Sequence, residues 1–173
     1  MLIAILRSAR RPIQILLLAI LSLFAATSAS RTALKISAKP TTNVTCSAGA
    51  CAATAADAVL NVAELENMLA VGNVAVISGD QAKNIEIDAN LSWTSTHRLT
   101  LDAYRSIAFN KPVEVMGAGG LKIRTSDGRK GGDFRFFNKG YVKFSDPKSN
   151  LVINGNTYAL VKRLAQIKKL VDQ

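Results

Sequence analysis

The sequence predicts an all-β fold, a short parallel β-helix with three strands per turn and about three turns, flanked by an N-terminal and a C-terminal helix. Three observations lead to this prediction. Short alternating apolar pairs begin after residue 73, three successive pairs recur at a constant offset of 22 residues, and helical spacing appears on either side of them. The composition supports a folded core, because 49% of the 173 residues are hydrophobic and only 20% are charged, which excludes a wholly disordered basic chain.

Residues 1–30 have the pattern of a secretory signal peptide. Three arginines precede an apolar run over residues 13–24, and small residues follow up to Ser30. This run is shorter than the roughly 20 residues that a transmembrane helix needs. We therefore expect cleavage after Ala29 or Ser30, a secreted or outer-surface location, and contact with the membrane only through export. An uncleaved membrane anchor is the alternative.

Residues 31–55 are rich in Ala, Ser and Thr and predict an irregular leader. Cys46 and Cys51 form a C-x4-C pair within it. Because an exported protein reaches an oxidising compartment, we expect a structural disulfide between them. A catalytic dithiol is the alternative, whereas a metal site would need more soft ligands than two thiols.

Residues 56–72 predict a capping helix. Asn61 occupies the N-cap position, Glu64 follows three residues later as in a capping box, and Gly72 ends the pattern. The side chains expected on its apolar face are Leu65, Met68 and Leu69.

Residues 73–160 predict the β-helix itself. The alternating pairs are Ile85/Ile87, Leu91/Trp93, Leu99/Leu101, Ile107/Phe109, Val113/Val115, Leu121/Ile123, Phe134/Phe136, Val142/Phe144 and Leu151/Ile153. The first three pairs map onto the next three at the 22-residue offset, which predicts strands stacked about 4.8 Å apart. In the third set the offset widens because a turn-rich insert, residues 127–132, precedes it.

Side chains at matching positions should form three inward columns. These are Ile87/Phe109/Phe136, Trp93/Val115/Phe144 and Leu101/Ile123/Ile153. The middle residue of each pair should face outward, which places Glu114 beside Lys143 and exposes Thr100, Lys122 and Arg135.

An antiparallel sandwich or barrel is the competing fold. Asn154–Gly155 is a good hairpin signal between two apolar segments, although it could equally form a corner. Residues 161–173 predict an amphipathic basic helix whose apolar stripe is Leu160, Leu164, Ile167 and Leu170. That helix would cap the stack or link it to further turns.

The chain is basic, with 22 Lys and Arg against 12 Asp and Glu, and removing residues 1–30 leaves 19 basic residues. The remaining cations are interleaved with apolar positions, so we predict a solvated basic face and no nucleic-acid partner. The best candidate surface for an anionic ligand is a basic strip formed by Lys122, Arg124, Arg129, Lys130, Arg135 and Lys139.

The segments "AADAVLNVAELENMLAVGNVAV", "LSWTSTHRLTLDAYRSIAFNKPVEVMGAGGLKIRTSDG" and "GGDFRFFNKGYVKFSDPKSNLVINGNTYALV" give the chain a family likeness. Together with the signal peptide and the C-x4-C pair, they resemble the N-terminal region of large bacterial exoproteins of the filamentous-haemagglutinin and autotransporter-adhesin type. The resemblance covers roughly residues 40–165. It implies a right-handed β-helix, export across the outer membrane, and adhesion or surface display without catalysis. The Asn-Pro-Asn-Leu and Asn-Pro-Asn-Gly motifs of such domains are absent, which argues against an outer-membrane transporter as a dedicated partner.

We therefore predict an exported, adhesin-like surface domain that is not an enzyme and that binds a host or environmental glycan or another surface ligand. It would have no catalytic residues, cofactor or metal, because the acids are scattered and the single histidine, His97, limits nucleophilic and metal chemistry. One alternative is a calcium-dependent polysaccharide lyase on the same fold. Another is a purely structural cap for a longer passenger, and such exoproteins are usually far longer than this chain.

Overall fold

The computed structural model describes residues 32–128 and 131–161. The predicted signal peptide, the predicted C-terminal helix beyond Val161, and Arg129 and Lys130 of the basic strip lie outside these residues. In chain order the elements are β1 (Ala33–Ser37), β2 (Val44–Ser47), β3 (Ala50–Ala53), β4 (Asp57–Asn61), α1 (Val62–Val71), β5 (Val74–Ile77), α2 (Gly79–Ala82), β6 (Asn84–Ile87), β7 (Leu91–Trp93), β8 (Arg98–Asp102), β9 (Ile107–Phe109), β10 (Val113–Val115), β11 (Gly120–Arg124), a 3-10 turn (Ser126–Gly128), β12 (Phe134–Phe136), β13 (Val142–Phe144), β14 (Asn150–Ile153) and β15 (Asn156–Tyr158).

The strands form three sheets, which we call A, B and C. Sheet A has five strands in the order β12-β9-β6-β1-β4, and sheet C has three in the order β13-β10-β7. Sheet B has seven strands in the order β15-β14-β11-β8-β5-β3-β2. From β6 to β14 the chain adds one strand to sheet A, then one to sheet C, then one to sheet B, and repeats this order.

The predicted right-handed parallel β-helix is wrong as the fold class. Sheets A and C are parallel, but sheet B is mixed, because the hairpins β2–β3 and β14–β15 pair antiparallel within it. The three sheets also differ in strand number, and the two α-helices of the described residues lie between strands. The physical reason is turn chemistry: Gly49 and Gly155 have positive φ in two-residue turns that reverse the chain. Asn154–Gly155 is therefore a hairpin and not a corner.

The predicted register of the repeated pairs is confirmed strand by strand. Val113 lies opposite Leu91, Leu121 opposite Leu99, and Ile107 opposite Ile85, each in a parallel pair. The three predicted inward columns also pair as expected, from Ile87 through Phe136, from Trp93 through Phe144 and from Leu101 through Ile153. A one-residue slip would turn every apolar side chain outward, so burial specifies this register strongly.

The core is aliphatic over most of its length and aromatic at one end. Leu and Ile side chains from all three sheets are fully buried around Phe109 and Trp93. Fully burying one such side chain contributes roughly 1.5–3 kcal/mol to folding. In the last strand of sheet A this burial is incomplete, because Phe136 remains 49% exposed although its ring centroid lies 5.0 Å from that of Phe109.

The predicted irregular leader, residues 31–55, contains strands. β1 inserts between β4 and β6 in sheet A, and β2 and β3 form a hairpin at the edge of sheet B. The disulfide between Cys46 and Cys51 is confirmed, and the two residues lie directly opposite each other in this hairpin. The cross-link therefore fixes the register of a hairpin whose small side chains bury little surface.

Helix α1 is shorter than the predicted 56–72 because β4 precedes it. The Asn61 side chain accepts hydrogen bonds from the backbone amides of Ala63 and Glu64 at 2.9 and 3.2 Å, which confirms the N-cap. The capping box closes through a third residue: the Thr41 hydroxyl donates to the Glu64 carboxylate at 2.6 Å and accepts from the Asn61 amide at 2.9 Å. None of the helices in the described ranges has the length and hydrophobicity needed to cross a membrane.

The two ends of the stacked sheets differ. At one end the outer strand β4 bridges to Thr42, and the outer strand β7 is covered by α1. At the other end β12 and β13 are the outer strands of sheets A and C, and no further strand of the described residues pairs with them. One end is therefore closed by the chain, and the other exposes strand edges and aromatic side chains.

Candidate functional site

An open cleft lies on the outward face of sheet A, where β6, β9 and β12 run side by side. Its volume is about 360 Å³. The residues that give it its chemistry are Asn84, Glu86, Arg105, Ser106, Ala108, Asp133, Arg135 and Phe137. Its floor consists of paired strands, which fix Asn84, Glu86, Ala108 and Arg135. The other four residues lie in the connections beside β9 and β12: Arg105, Ser106, Asp133 and Phe137.

The cleft exists because a small side chain interrupts a row of long ones. The outward positions of neighbouring strands are Lys35, Glu86, Ala108 and Arg135, each in register with the next. Side chains at such positions stand about 5 Å apart on the sheet surface. A methyl group at Ala108 therefore leaves a gap between the Glu86 carboxylate and the Arg135 guanidinium.

Most charges around the cleft are already paired. Lys35 Nζ lies 3.6 Å from Glu86 Oε2, and Arg135 Nε lies 2.6 Å from Asp133 Oδ2. The hydrogen bond from Arg135 is the main reason that the pKa of the Asp133 carboxyl lies below its ordinary value. Both members of the Asp133–Arg135 pair are exposed, so solvent screens their interaction.

Among the described residues at this cleft, Arg105 is the cation that has no ion-pair partner. Its backbone is fixed on both sides, since its amide donates to the Lys83 carbonyl at 2.8 Å and its carbonyl accepts from the Ser126 amide at 2.9 Å. Its side chain is exposed, and it makes no ion pair with any acidic residue of the described ranges. A guanidinium with free donors on an anchored backbone can bind a carboxylate or another planar anion bidentately.

The basic strip expected from the sequence is divided between sheets. Lys122 and Arg124 lie on β11 in sheet B, whereas Arg135 lies on β12 in sheet A. Lys139 lies in the connection from β12 to β13. The guanidinium of Arg124 already has partners within the protein, because it forms an ion pair with Asp102 at 2.9 Å and donates to the Asp127 carbonyl at 2.6 Å. Of the described strip residues, Arg135 is the one that lines the cleft.

The residues that sequence reasoning missed are Arg105, Ala108 and Phe137. Ala108 could have been found, because it is the middle residue of the Ile107/Phe109 pair and falls 22 residues after Glu86. Arg105 and Phe137 lie in the connections beside β9 and β12, and their approach to the cleft depends on how those connections turn.

Two other polar groups of the structure lie away from the cleft. Asp102 Oδ1 is buried without a hydrogen-bond partner among the described residues, although its second oxygen is paired with Arg124. The Tyr141 hydroxyl donates to Glu114 Oε1 at 2.6 Å, and this hydrogen bond raises the pKa of Tyr141. No group of three or more His, Cys, Asp or Glu side chains in the described ranges is arranged to hold a metal ion.

Comparison of the chain with protein-family models, with curated proteins and with solved structures finds no match.

Proposed function

We propose that this protein is an exported, adhesin-like surface domain that acts by binding and not by catalysis. Its ligand is a glycan that carries carboxylate groups, held in the cleft on sheet A. The proposal combines the secretory pattern of residues 1–30 with the exoprotein resemblance of residues 40–165 and the chemistry of the cleft.

The observation that carries the proposal is the Arg105 guanidinium, which lines an open cleft and has no acidic partner in the described ranges. An ionised carboxylate on a sugar ring is the complementary partner of that group. The exposed Phe137 ring offers an apolar surface beside it, and the Glu86 carboxylate can accept hydrogen bonds from sugar hydroxyls. The excess of basic residues over the whole chain would speed the encounter with a polyanion.

Export is tested by expressing the full chain in a bacterial host and measuring the intact mass of the product from periplasm, cell surface and medium by mass spectrometry. A product that begins at Ser30 or Arg31 and is two hydrogens lighter than the reduced chain supports export with an oxidised Cys46–Cys51 pair. An unprocessed, reduced chain that stays in the cytoplasm or inner membrane contradicts it.

Binding is tested by retention on an immobilised polyuronate column, beside a column of the same polymer after reduction of its carboxyl groups. We expect retention on the first column alone, and a clear loss of retention for Arg105→Ala. Arg98→Ala is the matched control, because it removes one exposed arginine from sheet B. Equal retention on both columns contradicts a carboxylate ligand, and equal loss for both variants points to unspecific charge.

The alternative function, a structural cap for a longer passenger, is supported by the difference between the two ends of the sheets. β4 and β7 are covered at one end, while β12 and β13 are uncovered by the described chain at the other. A domain that caps a longer passenger would have this asymmetry, because further strands could stack on its open end. Such a domain would bind neither polymer column.

A further inference from the structure

The outer edge of β12 carries unused backbone hydrogen-bonding groups. On its inner side the Asp133 carbonyl accepts from the Ile107 amide at 3.0 Å, and the Phe137 amide donates to the Phe109 carbonyl at 2.9 Å. Backbone groups of alternate residues point to opposite sides of a strand. The amide and carbonyl groups of Phe134 and Phe136 therefore point away from β9, towards an edge that no strand of the described chain occupies.

Two exposed aromatic side chains lie on or directly after this strand. Phe136 and Phe137 are 49% and 45% exposed. Four of the six phenylalanines of the chain fall between residues 134 and 144. Exposed aromatic surface next to an unpaired strand edge is the combination that soluble proteins use for association, or otherwise cover.

We propose that a second copy of this chain covers the edge, by antiparallel pairing of the two β12 strands around a two-fold axis at Phe134. The sequence around Phe134 is self-complementary in that register. Asp133 lies opposite Arg135 of the partner subunit, and Gly132 lies opposite Phe136 of the partner subunit. The axis makes each of these contacts twice, as an isologous interface requires.

Two features of the described geometry support this register. Asp133 directly precedes β12 and pairs with Arg135 of its own chain at 2.6 Å, so across the axis two such ion pairs would meet with opposite charges facing one another. Phe134 and Phe136 present their backbone groups to the edge, so both can join the new ladder. The pairing would join sheet A of two copies into one continuous sheet.

Charge exchange at two positions tests this register. Sedimentation velocity on the protein recovered from the full chain should show a dimer at high concentration that dissociates on dilution. Asp133→Arg and Arg135→Asp each place like charges opposite one another, so we expect each single variant to sediment as a monomer. The double variant restores opposite charges across the axis and should sediment as a dimer again.

Lys122→Asp is the control, because it changes charge on β11, which has a neighbour on each side in sheet B. It should leave the dimer intact. A wild-type protein that is monomeric at every concentration overturns the proposal, as do single variants that dimerise like the wild type. If a single variant fails to fold by circular dichroism, Phe136→Ser tests the same edge through its apolar surface, and unchanged dimerisation of that variant would also overturn it. Asp133 and Arg135 also line the cleft, so the charge variants are compared by sedimentation alone, and polyuronate retention is compared between the wild type and Arg105→Ala. Arg105→Ala leaves β12 unchanged, so polyuronate retention and dimerisation can fail independently.

Discussion

The Glu66 carboxylate of α1 accepts a hydrogen bond from the backbone amide of Ser92 at 2.8 Å. Ser92 is the middle residue of β7, the outer strand of sheet C. A helix side chain thus satisfies a backbone group that would otherwise be left open at a sheet edge. The relationship explains how a helix can end sheet C while sheets A and B continue through further strands.

Replacing Glu66 by Ala should destabilise the protein by about 1 kcal/mol, because the Ser92 amide loses its charged acceptor at a partly exposed position. Glu66→Gln keeps an acceptor oxygen at the same reach and should lose less. Chemical denaturation of both variants measures the difference. Equal stability of the Ala variant and the wild type would show that water replaces Glu66 at no cost.

The backbone packs so closely at Gly117 that a side chain cannot be added without movement. A Cβ atom there would overlap the Thr94 carbonyl oxygen. We expect Gly117→Ala to cost about 1–3 kcal/mol, as overpacking usually does, and to lower the thermal midpoint. Gly72→Ala is the control, because a Cβ atom at Gly72 would meet no atom within 4 Å. Similar midpoints for the two variants would contradict the close contact.

Phe109 and Phe136 stack in one column of sheet A but differ in burial. Phe109 is fully buried, whereas Phe136 is 49% exposed. Phe109→Ala should cost about 3–5 kcal/mol in the free energy of unfolding, because it opens a cavity in the core. Phe136→Ala should cost less than half as much. Urea unfolding of both variants, at a protein concentration that keeps the chain monomeric, measures the two costs. Equal costs would contradict the difference in burial between Phe109 and Phe136.

The hydrogen bond from Tyr141 to Glu114 predicts a pH effect in the alkaline range. It raises the pKa of Tyr141 above the ordinary 10.0, so the folded protein favours the protonated phenol. The stabilisation is therefore complete below the pKa of tyrosine in the unfolded chain and is lost as the pH rises through the folded value.

Ultraviolet titration at the phenolate band should show one of the three tyrosines of the chain ionising late. Tyr141→Phe should remove that component, and Glu114→Gln should shift it to lower pH, because the carboxylate charge is lost. A late component that survives Tyr141→Phe would assign the effect to another tyrosine.

The strand register could be predicted from the sequence because it follows from local alternation and a constant offset. The pairs that begin at Ile85 and Ile107 show both features, whereas the pair at Phe134 follows at a wider offset and keeps only the alternation. The fold class could not be predicted in the same way. Asn154–Gly155 is compatible with a hairpin or a corner. The insertion of β1 between β4 and β6 is a non-local pairing, and the Ala- and Ser-rich sequence of residues 31–55 has no pattern that indicates it.

The candidate site was predictable only in part. Ala108 follows from the repeat, because it is the small outward residue between Glu86 and Arg135. The predicted basic strip rests on charge alone, and charge does not show which cations are already paired within the protein. Arg124 is engaged with Asp102, whereas Arg105 lacks an acidic partner in the described ranges, and only the three-dimensional arrangement distinguishes them.

The most direct test of the central claim is an NMR titration of the ¹⁵N-labelled protein with a short uronate oligosaccharide. We predict that the amide signals of Arg105, Ser106, Ala108 and Phe137 shift together, because all four line the cleft on sheet A. The amides of Thr100, Lys122 and Val152, which lie opposite one another in sheet B, should stay in place. Shifts confined to sheet B, or no shifts at millimolar ligand, would contradict the cleft as the binding site.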